Sequence, residues 1–258
     1  MGGRPAKEAE AESKANTESH REGSYRTGAT ACRSVELYGM SEISPSQPSA
    51  PPRALFIVLE GIDGSGTTTQ VDRAVEHLRR RGRRALATRE PSTGPIGRLL
   101  REILLGQHAA PDGAPVDGRA MALLFAADRR DHLAREIEPA LAAGIDVVSD
   151  RYLLSSLAYQ AVEAERAWVE HLAGAIRAPD LTLLLDVEIG VAANRRRLAN
   201  RDIERYDADG FLARVVENYR RLAASQPGVV TLDGSPPIDQ VERAIAGRID
   251  ALLRAAPA

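Results

Sequence analysis

The chain has 258 residues, of which 43% are hydrophobic and 27% charged, and its formal net charge is −2. No stretch approaches the roughly 18 consecutive apolar residues of a membrane span, and the balanced charge gives no support for a large nucleic-acid or membrane-binding surface. A single cysteine, Cys32, cannot close an internal disulfide, and no CxxC pair or Cys/His cluster occurs, so a reducing, cytoplasmic setting is the default expectation.

Taken in chain order, residues 1–52 hold only five large apolar side chains (Met1, Val35, Leu37, Met40 and Ile43) and end in SPSQPSAPP. Such a stretch cannot bury enough apolar surface to offset its ordering entropy, and it is expected to be a disordered N-terminal tail. It lacks the apolar core of a signal sequence, and the early glutamates Glu8, Glu10 and Glu12 argue against a transit peptide. Met40 offers an alternative start shortly before the folded part, residues 53–258. Lysine occurs only at Lys7 and Lys14, both in the tail. Every basic side chain of the folded part is therefore arginine or histidine.

Ala54–Leu59 is a short continuous apolar run, the pattern of a buried parallel strand. A glycine-rich turn follows, and then Val71, Ala74, Val75 and Leu78 recur at helical spacing up to Gly82, a C-cap. Arg84–Thr88 reads as a second strand and Ile96–Leu105 as a helix after Pro95. A longer helix is predicted from about Arg119 to Ala143, closed by Gly144. Ile145–Val148, Leu181–Val187 and Val229–Leu232 read as further strands, with helical patterns between them and a last helix over Ile238–Leu253. Strands alternating with helices predict a parallel sheet covered on both faces.

The turn after the first strand reads Glu60-Gly61-Ile62-Asp63-Gly64-Ser65-Gly66-Thr67-Thr68. Gly61 and Gly66 have the spacing of the phosphate-binding pattern G-x-x-x-x-G-K-[ST], and Thr68 fills its hydroxyl position. Glycines let backbone N–H groups converge on phosphate oxygens, and a helix N-terminus adds favourable partial charge. The Thr68 hydroxyl would ligate Mg²⁺. Thr67 stands where the pattern has lysine. Either the loop has become a binding module, or arginines from elsewhere supply the missing charge. Arg89-Glu90-Pro91 and Asp150-Arg151-Tyr152 each follow a strand and so fall at the carboxyl edge of the sheet, beside this loop. Two arginines there suit a doubly charged phosphate acceptor. Phe125 and Arg129, four apart on one helix face, allow an aromatic platform with an arginine beside it.

The segments FIVLEGIDGSGTTTQ, TREPSTGPIGRLLR, ALLFAADRRDHL, VVSDRYLLSSLAYQ and PDLTLLLDV, in this order, resemble the thymidylate kinase family over residues 54–187, with weaker similarity to the end. The resemblance implies a three-layer α/β fold of the P-loop nucleoside monophosphate kinase type, with a five-stranded parallel sheet and helices on both faces. It implies an enzyme that phosphorylates dTMP with ATP and Mg²⁺, acting as a homodimer. The ATP phosphates would lie on Gly61, Ile62, Asp63, Gly64, Ser65, Gly66, Thr67 and Thr68. Phe125 would stack on thymine and Arg129 would bond its carbonyl edge. Arg89 and Arg151 would hold the dTMP phosphate, with Ser156 and Gln160 near the base. Tyr159 would close the sugar pocket or serve as buried structure. Asp63 would meet the sugar or the metal shell, and Asp150 the metal and phosphates. The stretch 195–209 resembles the family's lid. With no lysine available, Arg197, Arg201 and Arg205 are the candidates for neutralising the transferring group, together with Arg151. Two other readings remain open at this point: a catalytically inactive nucleotide-binding protein, and a kinase for another nucleoside monophosphate.

Overall fold

The computed structural model describes residues 53–108, 111–174, 176–199, 205–206 and 208–255. The tail expected over residues 1–52 lies outside the described residues, as does Arg201. Five strands form one parallel sheet: β1 (Phe56–Glu60), β2 (Ala85–Arg89), β3 (Asp146–Asp150), β4 (Leu181–Asp186) and β5 (Val229–Asp233), in the order β2-β3-β1-β4-β5. β1 lies at the centre, and all five of its residues are buried. Its side chains alternate between the faces, as the pleat dictates. Leu55, Ile57 and Leu59 enter one core with Val71, Val75 and Leu78 of helix α1 (Thr67–Arg80). Val241, Ile245 and Ile249, from the final helix, complete that core. Phe56 and Val58 point the other way, toward Leu133, Ile137 and Tyr152. β1 and β4, buried along nearly their whole length, read as nearly unbroken apolar runs, which is why they were legible without alternation.

The remaining helices are α2 (Pro95–Leu104), α3 (Gly118–His132), α4 (Glu138–Ala142), α5 (Leu153–Glu163), α6 (Arg166–Ala173), α7 (Ile189–Leu198), α8 (Asp209–Ser225) and α9 (Ile238–Ala255). α1 ends as its glycine signals. Gly82 takes φ 76°, its N–H bonds Arg79 O at 2.9 Å, and Arg83 N–H returns to Leu78 O at 3.1 Å. The long helix expected over Arg119–Ala143 is interrupted by a π turn over Leu133–Ile137 between α3 and α4. Pro139, near the start of α4, has no N–H for the preceding turn and crowds the carbonyl four residues back, so the helix widens there. Among the described residues no helix is long and apolar enough to cross a membrane.

Candidate active site

Because every strand runs the same way, all five carboxyl ends meet along one edge. Pairing sets Leu59 against Asp150 and Arg89 against Asp150, so the ends of β1, β2 and β3 lie side by side. Their following residues face a cavity of about 830 Å³ that also receives α1, α3, α5 and α7.

The glycine-rich loop forms one end of this cavity. A Cβ on Gly61 would lie 2.5 Å from Ser65 Oγ, and Gly64 and Gly66 take φ of +88° and +97°, so the loop geometry demands glycine at these positions. Ser65 N–H bonds Ile62 O at 3.0 Å, tightening the turn. Helix α1 then begins with Gly66 as its N-cap and with no side-chain cap. Its first amides are thus turned to the cavity unclaimed by a side chain, the arrangement that binds anions. Asp63, Gly64, Ser65, Gly66, Thr67 and Thr68 line the cavity, while Gly61 and Ile62 lie buried beneath it. Thr68 Oγ1 donates to Asp150 Oδ2 at 2.5 Å. Asp150 Oδ1 and Ser65 Oγ are buried with no hydrogen-bond partner.

Arginines and aromatic rings line the rest of the cavity. Arg151, at the turn after β3, adopts φ 74°, a left-handed conformation unusual outside glycine. Its guanidinium contacts Asp63 Oδ1 at 3.3 Å and lies 5.3 Å over the Tyr159 ring. Burial pushes the Tyr159 phenol well above its ordinary range, so it stays neutral. Arg129 is 3% exposed; its Nε donates to Glu90 Oε2 at 3.1 Å and its Nη2 to Ser156 Oγ. Glu90 is also within reach of His132, whose other ring nitrogen meets Thr88 Oγ1 at 2.7 Å. Phe125 and Arg89 line the same cavity, together with Gln160, which is 2% exposed.

The cavity lining includes every residue that the sequence assigned to the substrate: Asp63, Arg89, Phe125, Arg129, Arg151, Ser156, Tyr159 and Gln160. The lid arginines fall differently. Arg197 is exposed and bonds Asn194 Oδ1 at 2.8 Å, away from the cavity lining. Arg205 turns to Val116 O at 2.5 Å and Glu163 Oε1 at 2.9 Å, and it also stands outside the lining. Arg201 lies outside the described residues.

Two arginines that the sequence reading passed over do meet the loop. Arg195 donates to Ser65 O at 3.3 Å, Gly234 O at 2.9 Å and Ser235 O at 3.0 Å. Arg196 donates to Asp63 O at 2.6 Å. Helix α7 is seated directly on the loop: a Cβ at Gly64 would lie 2.3 Å from Ala192 O. In a run of three arginines successive side chains point about 100° apart, so composition alone does not say which ones face inward. Ile189 and Ala192, one turn apart and packed into the core, are the local hints of the buried side of α7.

Comparison with known proteins gives a consistent result. The sequence model of thymidylate kinase matches residues 59–245. A probable thymidylate kinase of Pyrobaculum aerophilum is 40% identical over 200 residues, covering 77% of this chain and 98% of that protein. A thymidylate kinase of Bifidobacterium longum subsp. infantis is 42% identical, over 78% of this chain and 88% of that protein. One from Burkholderia thailandensis is 41% identical, over 78% of this chain and 99% of that protein.

Proposed function

Because the chain belongs to the thymidylate kinase family, we propose that its cavity transfers the γ-phosphoryl group of ATP to the phosphate of dTMP, giving ADP and dTDP. One observation carries the reading: the uncapped N-terminus of α1 and the cluster Arg89, Arg129 and Arg151 with Phe125 line a single cavity. The loop holds the donor triphosphate. Phe125 stacks on thymine, Arg129 reads its carbonyl edge with Ser156 and Gln160 alongside, and Arg89 and Arg151 hold the acceptor phosphate by paired donors. Tyr159 closes the sugar pocket. The acceptor oxygen is already anionic, so no strong general base is needed, and catalysis rests on alignment and charge neutralisation.

Mg²⁺ suits the donor set. Among the described residues there is no cluster of three or more metal-ligating His, Cys, Asp or Glu. A magnesium ion does not require one, since it keeps waters and takes phosphate oxygens with one or two protein ligands. Asp150, with its buried unpaired Oδ1, the neighbouring Thr68 hydroxyl and Asp63 would hold it, where it would screen the β- and γ-phosphate charge. The cation that Thr67 does not supply comes, in this reading, first from Arg195 and Arg196, which bond loop carbonyls. Arg197, Arg201 and Arg205 belong to the segment 195–209, which we read as a lid that closes over the donor. A homodimer is the assembly the family resemblance implies, and sedimentation of the purified chain tests it.

The deciding experiment is ADP release over a panel of nucleoside monophosphates with ATP and Mg²⁺. Turnover is expected to be highest with dTMP and to yield dTDP. Binding of ATP and dTMP with no dTDP after long incubation would overturn the reading in favour of an inactive module. Preference for another monophosphate would overturn the base assignment.

A further inference from the structure

The mechanism above makes no use of Glu60, the last residue of β1, although it is completely buried. Its carboxylate accepts from Tyr152 N–H at 3.0 Å through Oε1 and from Ser155 Oγ at 2.5 Å through Oε2. The Tyr219 hydroxyl, from α8, lies 2.8 Å from Ser155 Oγ, 3.3 Å from Glu60 Oε2 and 3.4 Å from Gly61 O. Arg151 Nη1 then donates to both hydroxyl oxygens, to Ser155 Oγ at 3.3 Å and to Tyr219 at 3.4 Å.

Each hydroxyl has one proton to give. Ser155 spends its proton on Glu60, the shortest contact in the group. Tyr219 directs its proton to Ser155, to Glu60 or to Gly61 O, in every case away from the guanidinium. Both oxygens therefore present lone pairs to the Arg151 guanidinium. We propose that Glu60 is a positioning residue for the acceptor phosphate: as a carboxylate it orders the Ser155 and Tyr219 hydroxyls so that they hold Arg151 in its strained turn, aimed at dTMP. The proposal rests on the reading of that part of the cavity as the dTMP site.

The surroundings bear on how the relay responds to pH. Glu60 faces Arg151, Tyr152 and Ser155 from the turn and α5, Tyr219 from α8, and Glu90 from the end of β2; Asp63, Asp150 and Tyr159 face Arg151 itself. Burial pushes the Glu60 carboxyl up to about 7, against the pull of Ser155 and Arg151. Proton uptake at Glu60 turns an acceptor into a donor and reverses the hydroxyl order. Glu60→Gln does the same at every pH, because an amide nitrogen at the Oε2 position donates to Ser155 and sends its proton toward Arg151.

The test uses the full chain, with the dTMP dissociation constant from calorimetry and separate KM values for dTMP and ATP. Tyr219→Phe and Glu60→Gln are each expected to weaken dTMP about tenfold, the effect of losing one hydrogen bond to a charged group, with KM for ATP within about twofold of wild type. Between pH 8 and pH 6 the KM for dTMP is expected to rise more in wild type than in Glu60→Gln. The second ionisation of the dTMP phosphate, near pH 6, affects both proteins alike. Wild-type affinity for dTMP in both variants would overturn the relay, as would parallel loss of dTMP and ATP. If Glu60→Gln does not fold, Tyr219→Phe decides by the same split between the two substrates. A wild-type protein that binds dTMP without turnover would refute the proposed function and leave the relay standing.

Discussion

At position 67 the loop forgoes a cation, and the residue-scale question is where the charge has gone. If Arg195 and Arg196 supply it, replacing both by Gln should weaken ATP by at least about tenfold, as removal of two charge-assisted contacts implies. Thr67→Lys should restore binding in that double variant and add little to wild type; calorimetry on the four proteins measures the non-additivity. Glu60 carries a second residue-scale prediction, on stability. A carboxyl raised from 4.5 to about 7 holds its proton more tightly in the fold than in the unfolded chain. Its contribution is therefore fully present below about pH 4.5 and is lost as pH rises through 7. Glu60→Gln should melt higher than wild type at pH 8, by up to about 3 kcal/mol of stability, with the gap closing toward pH 5. A variant that is more stable and binds dTMP worse would separate the site's demand from the fold's. Arg129 is the opposite case. Its loss leaves Glu90 buried beside His132 without its cation, so Arg129→Ala should cost about 3–5 kcal/mol in urea denaturation as well as dTMP affinity.

At the scale of elements, the loop and α7 behave as one piece. Gly64→Ala would thrust a methyl group to 2.3 Å from Ala192 O in a backbone conformation that alanine resists. It is expected to reduce ATP affinity more than tenfold while leaving dTMP binding largely intact, measured by calorimetry with each nucleotide. The loop itself was legible because glycine spacing, an apolar strand before it and an amphipathic helix after it are all local signals. The same holds for the arginines at the strand ends: once the strands are read as parallel, Arg89 and Arg151 must share an edge. Which of Arg195, Arg196 and Arg197 meet the loop was not legible. It depends on how α7 is rotated about its axis, and its contacts include Gly64, 128 positions before Ala192. The π turn before Pro139 and the cis Glu90–Pro91 bond are likewise backbone choices that periodicity does not announce.

At the scale of the whole molecule, β1 sits between β3 and β4 although its sequence neighbour is β2, so strand order had to come from long-range pairing. Removing residues 1–52 is expected to leave turnover within about twofold, because all the proposed donor and acceptor contacts come from residues beyond Arg53; a steady-state assay of the shortened chain measures this. The seating of α7 on Gly64 has a mechanical consequence. With Ala192 fixed against Gly64, the helix is a lever whose fulcrum lies at the glycine-rich loop. Leu198, six residues farther along and 77% exposed, rides about 9 Å down the axis from that pivot. A small tilt of the loop is thereby amplified at the Leu198 end of α7, as at the end of a lever.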